Sequence, residues 1–415
     1  MNVLKIATAG SVDDGKSTLI GRVLYDTKSL TDDKLEAIVH SSKQKGLDYL
    51  DFSLATDGLV AEREQGITID VAHIYFSTAH RSFIIADTPG HIEYTRNMVT
   101  GASTSQASII LIDARNGVVE QTYRHFFINN LLRVKDVVIA VNKMDLVDFS
   151  EARFKEIKEQ IEALARKSEY RGQQLTFIPL SALEGDNVVF ASKKMPWYSG
   201  TTLLDHLENI NVEDIQETAQ TRFSVQTVIR PKTKEYHDYR GYAGKLYGGD
   251  IAVGDTVRIL PSDTVSTIKG IHFFKKEYQK AVRGSSVTLT LTDDIHISRG
   301  NVLVKEKELP EVSKELTATI CWMDSTPLKA GLKYIVQHGI RDVQAKVSKI
   351  TQLIHTDFSG TEENPTALTL NQIGEVTLKL NKELFYDTYA TNKSNGAFIL
   401  IDPKTNTTSG VGFIK

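Results

Sequence analysis

The stretch G-S-V-D-D-G-K-S, residues 10 to 17, matches G-x-x-x-x-G-K-[ST] and lies between segments that predict a strand and a helix. In such a loop Gly10 and Gly15 let backbone amides turn toward phosphate oxygens. Lys16 places positive charge beside those oxygens, and Ser17 offers a hydroxyl to Mg²⁺. The sequence therefore predicts a P-loop that binds nucleotide phosphates together with Mg²⁺. Its predicted nucleotide contacts are Gly10, Ser11, Val12, Asp13, Asp14, Gly15, Lys16, Ser17 and Thr18.

The base is predicted from N-K-M-D, residues 142 to 145, which follows an apolar strand. Asp145 can accept hydrogen bonds from the ring N–H and the exocyclic amine of guanine, a pattern that adenine lacks. In S-A-L, residues 181 to 183, the amide of Ala182 can donate to the guanine oxygen. The expected nucleotide is GTP, with Asn142, Lys143, Met144, Asp145, Ser181, Ala182 and Leu183 around its base.

The stretch D-T-P-G-H follows a third apolar strand, R-S-F-I-I-A. Asp87 is the expected acidic partner of the metal, and Gly90 can bring its amide close to the γ-phosphate. His91 stands where the attacking water must be held, a position that glutamine fills in small GTPases. We expect His91 to orient this water rather than to abstract its proton, because positioning and charge stabilisation account for most phosphoryl-transfer catalysis. The predicted catalytic residues are His91, Lys16 and Gly90, and the nucleotide contacts here are Asp87, Thr88, Pro89, Gly90 and His91.

The metal site is expected to include a residue of E-R-E-Q-G-I-T-I. The hydroxyl of Thr68 can complete the coordination when GTP is present, within a polar segment, residues 28 to 69, that can order around the γ-phosphate. An ordinary strand threonine is the alternative. The predicted metal ligands are Ser17, Thr68 and Asp87.

The elements that position these motifs change character near residue 210. Before it, near-continuous apolar strands alternate with helices, which predicts a largely parallel sheet whose ligand sits at the carboxyl ends of the strands. After it, short strands separated by closely spaced turns predict β-barrels. The predicted fold is an α/β P-loop GTPase domain with a mostly parallel sheet, residues 1–212, followed by two small β-barrel domains, residues 220–306 and 313–415.

Composition limits the remaining functions. The 415 residues include 41% hydrophobic and 24% charged residues, as in a folded multidomain protein. A net charge of -3 gives no overall basic field for nucleic acid. Cys321, the single cysteine, lies in an apolar strand-like run and is expected to be buried. Since no leader and no long apolar run are visible, we expect a cytoplasmic protein without membrane contact.

The motifs E-R-E-Q-G-I-T-I, D-T-P-G-H and N-K-M-D together resemble the translation-factor superfamily of GTPases, and the resemblance spans the whole chain. Within that superfamily the chain is similar to the GTPase subunit of heteromeric sulfate adenylyltransferase. The similar stretches include V-D-D-G-K-S-T, with Asp14 where elongation factors typically have histidine, T-R-N-M-V-T-G-A-S-T and M-P-W-Y-S-G-T-T-L-L-D-H-L-E.

The resemblance implies a partner and a reaction. A separate, smaller ATP-sulfurylase catalytic subunit joins ATP and sulfate to give adenylyl sulfate and pyrophosphate in sulfate assimilation. This family couples that uphill reaction to GTP hydrolysis on the larger subunit, in a heterodimer or a higher assembly. Some relatives carry a fused adenylyl-sulfate kinase; this chain has no second P-loop motif, so we do not expect kinase activity.

Two other functions stay open. A translation-type GTPase acting on the ribosome is favoured by residues 269 to 284, K-G-I-H-F-F-K-K-E-Y-Q-K-A-V-R-G, where basic and aromatic residues interleave. A solvated barrel strand with inward aromatic residues explains the same pattern, and Asp14 also counts against the ribosomal function. The third possibility is a regulatory switch that binds GTP with negligible turnover.

Overall fold

A computed structural model of the chain describes residues 3–44, 46, 49–52, 71–89, 95–211, 220–231, 239–274 and 276–415. The chain divides into two compact units. The first contains Met1–Ile215 with His355–Gly360, and the second contains Gln216–Ile354 with Thr361–Lys415. No helix within the described ranges is both long and apolar enough to cross a bilayer.

The first unit contains a six-stranded sheet with strand order β2-β3-β1-β4-β5-β6. All neighbours pair in parallel except β2, which runs antiparallel to β3 at the edge. The described strands are β1 Val3–Ala9, β2 Ala72–Ser77, β3 Ser82–Asp87, β4 Ala107–Asp113, β5 Asp136–Asn142 and β6 Gln174–Pro179. The described helices are α1 Lys16–Asp26, α2 Asp32–Gln44, α3 Thr95–Ser103, α4 Glu120–Leu131, α5 Glu151–Lys167 and α6 Leu203–Asn209.

Burial explains why the sequence forms this sheet. Every residue of β4 and of β5 is buried, which matches their near-continuous apolar composition and requires cover on both faces. Parallel strands also bring their carboxyl ends to one edge of the sheet. The polar residues that end three of them, Asp87, Asp113 and Asn142, therefore lie along the edge where ligands of α/β proteins bind.

The second unit contains two closed barrels of six strands each. The described strands of the first barrel sheet are β7 Arg222–Ile229, β8 Gly241–Tyr247, β10 Thr256–Leu260, β11 Thr264–Phe273, β12 Lys276–Tyr278, β14 Ser286–Leu291 and β15 Val302–Lys305, and a separate pair is β9 Ile251–Ala252 with β13 Lys280–Ala281. Those of the second are β16 Glu311–Trp322, β17 Lys333–His338, β18 Arg341–Ile354, β19 Thr361–Glu363, β20 Ile373–Tyr386, β21 Ala397–Ile401 and β22 Thr408–Ile414. The first barrel has the strand order β10-β15-β7-β8-β14-β11 and closes through β10–β11. The second has the order β17-β21-β22-β16-β20-β18 and closes through β17–β18. The fold class is as predicted, while the domain boundaries stay predictions.

Two expectations about individual side chains have different outcomes. Cys321 is buried, and burial raises the pKa of its thiol to about 12, so the prediction of a buried structural cysteine is confirmed. The inward orientation expected for the aromatic residues of 269–284 is wrong, because Phe273 and Phe274 are 45% and 90% exposed. Phe274 lies just after β11 with a φ of 52°, and its side chain faces solvent.

Candidate nucleotide-binding site

The P-loop joins the end of β1 to the start of α1 through backbone that only glycine adopts easily. Gly15 precedes α1 with a φ of 92°. A Cβ atom on Gly15 would lie 2.5 Å from Nδ2 of Asn142, so the loop and the N-K-M-D motif approach too closely for any side chain there. Gly10 packs in the same way against Leu111, whose Cβ would be 3.1 Å from a Cβ on Gly10.

Lys16 is folded back onto this loop. Its ammonium donates to the carbonyl oxygens of Gly10 at 2.8 Å and of Ser11 at 2.9 Å. Burial lowers the pKa of Lys16, while the neighbouring carboxylates of Asp87 and Asp14 act in the opposite direction. A buried ammonium whose hydrogen bonds go to neutral carbonyls is well suited to bind an anion, because a phosphate offers charged acceptors in their place.

Asp14 braces the loop from inside. Its Oδ2 accepts a hydrogen bond from the amide of Ser11 at 2.5 Å, and its side chain is buried. Burial raises the pKa of Asp14, against the lowering effects of this hydrogen bond and of Lys16. The structure thus gives Asp14 a contact within the loop.

Asp87 is placed by the pairing of β1 with β3, in which Thr8 is its register partner. The hydroxyl of Thr8 donates to Oδ1 of Asp87 at 2.8 Å, and the hydroxyl of Thr88 donates to the carbonyl of Thr8 at 2.5 Å. The hydroxyl of Ser17 and the carboxylate of Asp87 are hard oxygen donors of the kind that Mg²⁺ accepts beside phosphate and water. Among the residues that the structure describes, no cluster of three His, Cys, Asp or Glu side chains offers a metal site independent of phosphate.

Asn142 joins the base-reading motifs to the P-loop. Its Nδ2 donates to the carbonyl of Asp14 at 2.8 Å, and its Oδ1 accepts from the amide of Ala182 at 2.9 Å. Both contacts are buried. One side chain therefore fixes three loops at the carboxyl edge of the sheet.

Beside Asn142 lies a cavity of about 340 Å³. Asp145 lines it, and Oδ1 of Asp145 is buried without a hydrogen-bond partner among the described residues. A buried carboxylate oxygen without a partner is costly, and a ligand N–H would remove that cost. The cavity is lined by Gly15, Thr18, Tyr49, Leu50, Asp51, Phe52, Arg115, Asn142, Lys143, Asp145, Leu146, Ala182 and Leu183.

The structure brings most of the predicted site residues together, but it does not cover all of them. Thr68, Gly90 and His91 lie outside the described residues. Met144 is fully buried, and its amide donates to Leu180, so its side chain packs in the core. For every predicted site residue, the role as nucleotide contact, metal ligand or catalytic residue stays a prediction.

Sequence reasoning missed several residues of the cavity. Arg115 lies just after β4 and pairs with Asp113, the buried last residue of that strand, and Tyr49 to Phe52 form part of the cavity wall. The signal that indicated Asp87, an aspartate closing an apolar strand, was also present in I-I-L-I-D at Asp113. The wall segment 49–52 carries no comparable motif.

Comparison with known proteins adds to this geometry. Residues 1–229 match the family described as "Elongation factor Tu GTP binding domain", and residues 315–415 match "GTP-eEF1A C-terminal domain-like". "Sulfate adenylyltransferase subunit 1" of Bacteroides fragilis (strain YCH46) is 48% identical over 415 residues, which cover 100% of this chain and 86% of that protein. "Bifunctional enzyme CysN/CysC" of Mycobacterium tuberculosis (strain ATCC 25618 / H37Rv) is 46% identical over 413 residues, 99% of this chain and 67% of that protein.

A solved structure shows the same fold. The GTPase-like domain of S. cerevisiae Ski7, bound to GDP and inorganic phosphate, aligns with a TM-score of 0.53 over 100% of this chain and 97% of that chain. The sequence identity is 18%, so the likeness concerns the fold alone.

Proposed function

This chain belongs to the sulfate adenylyltransferase subunit 1 family, within the translation-factor GTPases, and on that premise we propose that it couples its own GTP hydrolysis to adenylyl sulfate formation by a smaller catalytic subunit. The coupled reaction takes ATP and sulfate to adenylyl sulfate and pyrophosphate. GTP and Mg²⁺ bind to this chain. ATP and sulfate bind chiefly to the partner.

The observation that carries the proposal is Oδ1 of Asp145, which is buried beside the cavity without a hydrogen-bond partner in the described part of the chain. Guanine offers its ring N–H and its exocyclic amine to one carboxylate, and adenine offers neither in that arrangement. The amide of Ala182 donates to Oδ1 of Asn142 at 2.9 Å, and it would exchange this acceptor for the guanine oxygen when the nucleotide binds. The cavity therefore favours GTP over ATP, in keeping with a chain that hydrolyses GTP while another subunit consumes ATP.

The phosphate end supports hydrolysis. Lys16 can leave the carbonyls of Gly10 and Ser11 for the β- and γ-phosphates, and Ser17, Thr68 and Asp87 would hold Mg²⁺. A bound Mg²⁺ neutralises charge that develops on the phosphates. His91 would orient water in line with the γ-phosphate, and we expect the partner to close the site around it.

Coupling sets a thermodynamic requirement. The GTP-bound and GDP-bound states must bind the partner, or its substrates, with different free energies, since a ligand shifts an equilibrium only by its differential affinity. A chain whose GTP-bound and GDP-bound states bind the partner and its substrates equally well would hydrolyse GTP without raising the yield of product.

The direct test is to measure GTP hydrolysis by the chain alone and with a smaller adenylyltransferase subunit, ATP and sulfate, while adenylyl sulfate is followed in the same tube. We expect the complex to accelerate hydrolysis and to accumulate more product than it does without GTP. The control replaces GTP with a non-hydrolysable analogue, which should bind without raising the yield. Accelerated hydrolysis with an unchanged yield would refute coupling and leave only GTP hydrolysis.

A ribosomal function has one observation in its favour. Phe273 and Phe274 are exposed in a lysine-containing segment of the first barrel, as on a surface that stacks nucleobases. The same experiment therefore includes ribosomes in place of the smaller subunit. Acceleration by ribosomes, with no response to the smaller subunit, would replace the adenylyl sulfate proposal with the translation one.

A further inference from the structure

Asp113 occupies a central position beside the base cavity although none of the sequence motifs contains it. It ends β4, and its register partner in β5 is Asn142, which begins N-K-M-D. The amide of Ala114 donates to the carbonyl of Asn142 at 2.8 Å, so the two strand ends are joined past the last paired residue. The side chain of Asp113 is 1% exposed. A carboxylate this deeply buried needs strong partners.

Two cations meet on this carboxylate. Arg115 binds it at both oxygens, with Nη2 at 2.7 Å from Oδ2 and Nε at 3.1 Å from Oδ1, and its own amide donates to Oδ1 at 2.9 Å. Nζ of Lys143 lies 3.0 Å from Oδ2. Arg115 and Lys143 both line the cavity, so the buried carboxylate of Asp113 fixes the position of two lining side chains.

The contact with Lys143 extends to the P-loop. Nζ of Lys143 also donates to the carbonyl of Asp13 at 2.5 Å. Lys143 and Asp13 have φ values of 61° and 67°, left-handed conformations that residues with a Cβ adopt only when their surroundings hold them. The carboxylate of Asp113 thus anchors a lysine whose stem runs from the base-reading loop to the P-loop.

The position of Asp113 is itself fixed. Nε and Nη2 of Arg153, at the start of α5, donate to the carbonyls of Ala114 at 2.7 Å and of Arg115 at 3.1 Å. Burial raises the pKa of Asp113, but the hydrogen bonds from Arg115 and Lys143 outweigh it and bring the value to about 2. The carboxylate is therefore ionised throughout the neutral range, and the backbone that directly follows it is held by a third cation, Arg153.

We propose that Asp113 is a positioning residue of the guanine-nucleotide site, which holds the Lys143 stem and the Arg115 guanidinium against one face of the bound purine. The proposal rests on the proposed function only for its ligand, a guanine nucleotide. A flat, electron-rich purine recognises an aliphatic stem and a guanidinium plane through stacking and cation–π contact. Lys143 and Arg115 thus contact the face of the purine, which all purines share, whereas Asp145 hydrogen-bonds the edge that distinguishes guanine. Removing the charge of Asp113 leaves two cations facing each other and releases both from the cavity wall.

The test uses the full chain without any partner and measures the dissociation constants of fluorescent GDP and IDP analogues. Asp113→Asn preserves the shape and removes the charge, and it should weaken both nucleotides by about tenfold. Because IDP lacks only the exocyclic amine, the GDP-to-IDP affinity ratio should stay at the wild-type value. Asp145→Asn should shrink that ratio. Arg115→Ala, on a half-exposed side chain that can be removed without unfolding, should weaken both nucleotides by about threefold.

The matched control is Glu151→Gln, which removes a carboxylate from an exposed ion pair with Lys155 in the same unit. It should bind both nucleotides as the wild type does. Folded Asp113→Asn and Arg115→Ala proteins with wild-type affinities would overturn the proposal, and so would a loss confined to GDP. Absence of GDP binding by the wild-type chain would instead refute the proposed function, so the two failures are distinguishable.

Discussion

The side-chain amide of Asn142 lies 2.8 Å from the carbonyl oxygen of Asp14, so the base-reading motif and the P-loop share one buried hydrogen bond. The contact is close enough to determine the residue beside it. Nδ2 of Asn142 occupies the space where a Cβ of Gly15 would project, at 2.5 Å. Glycine at position 15 is therefore required by conformation and by contact together.

Gly15→Ala should abolish measurable GTP binding, a loss on the order of 10²-fold or more, because Asn142 must move and release the carbonyl of Asp14. Titration with a fluorescent GTP analogue measures the effect. The matched control is Gly254→Ala in the second unit, where φ is 90° but nothing lies within 4 Å of the added Cβ. Both variants carry about 1 kcal/mol of backbone strain, and only the first should lose the nucleotide. Equal nucleotide affinities in the two variants would show that a Cβ at position 15 does not displace Asn142.

Asp145→Asn should shift the base preference of the site from guanine toward xanthine. The variant loses a charge-assisted pair of hydrogen bonds to guanine, and GTP affinity should fall on the order of 10²-fold. Its amide N–H can donate to the oxo group that xanthine carries in place of the amine, so xanthosine triphosphate should bind better than it does to the wild type. Competition against a fluorescent GDP analogue measures both. The control is Asp148→Asn, an exposed aspartate just after the same motif. A loss of GTP without any gain of the xanthosine nucleotide would place Asp145 outside the base contact.

Much of the first unit could be predicted because its signals are local. The apolar runs that predicted parallel strands became β1, β3, β4, β5 and β6. The edge strand β2 was not predicted, since in A-H-I-Y-F-S exposed residues alternate with partly or fully buried ones, as in a half-buried antiparallel strand, and no continuous apolar run marks it. The family resemblance drawn from the motifs is confirmed by relatives 46 to 48% identical over nearly the whole chain.

The site was predictable only where a motif fixes both residue type and backbone. Asp87 and Asp113 each close an apolar strand, and only the D-T-P-G-H motif marked Asp87 as a site residue. Arg115 is a local partner of Asp113, but Lys143 reaches Asp113 only when β4 and β5 pair. The environment of a strand-end carboxylate is a tertiary property, which explains why the cavity wall was missed while the P-loop was found.

His125 in α4 should make the stability of the first unit depend on pH. It is buried, its Nδ1 lies 3.0 Å from the sulfur of Met98, and burial together with the charges of Lys16 and Arg124 lowers its pKa to about 3. Between that value and the ordinary 6.5 the unfolded chain binds a proton that the folded chain does not. The free energy of unfolding should therefore fall as the pH drops below about 6.5, by about 1.4 kcal/mol at pH 5.5 relative to pH 7.5.

His125→Leu should remove this increment. Thermal unfolding of the wild type and the variant at pH 5.5 and pH 7.5 measures this effect. The difference in melting temperature between the two proteins should change by about 4 °C from one pH to the other. The control is His80→Leu, which removes an exposed histidine from the same unit. An identical pH dependence in the wild type and in His125→Leu would show that folding does not lower the pKa of His125.

Arg222 and Asp387 form a buried ion pair between the two barrels of the second unit. Nε and Nη2 of Arg222 lie 2.9 and 2.7 Å from the two carboxylate oxygens, and the side chains are 1% and 6% exposed. Asp387→Ala leaves the guanidinium buried without its counter-charge and should destabilise the unit by about 3 to 5 kcal/mol. Replacing both residues by leucine should cost much less, because no isolated charge remains.

Urea unfolding followed by the fluorescence of Trp322, which is buried in the second barrel, measures both variants. The experiment is made in a Trp197→Phe background, since the chain has only two tryptophans and the other one reports on the first unit. If the double variant is as unstable as Asp387→Ala, the cost comes from lost packing and not from an unpaired charge. If the double variant is nearly as stable as the wild type while Asp387→Ala is not, the loss in Asp387→Ala comes chiefly from the unpaired buried charge of Arg222.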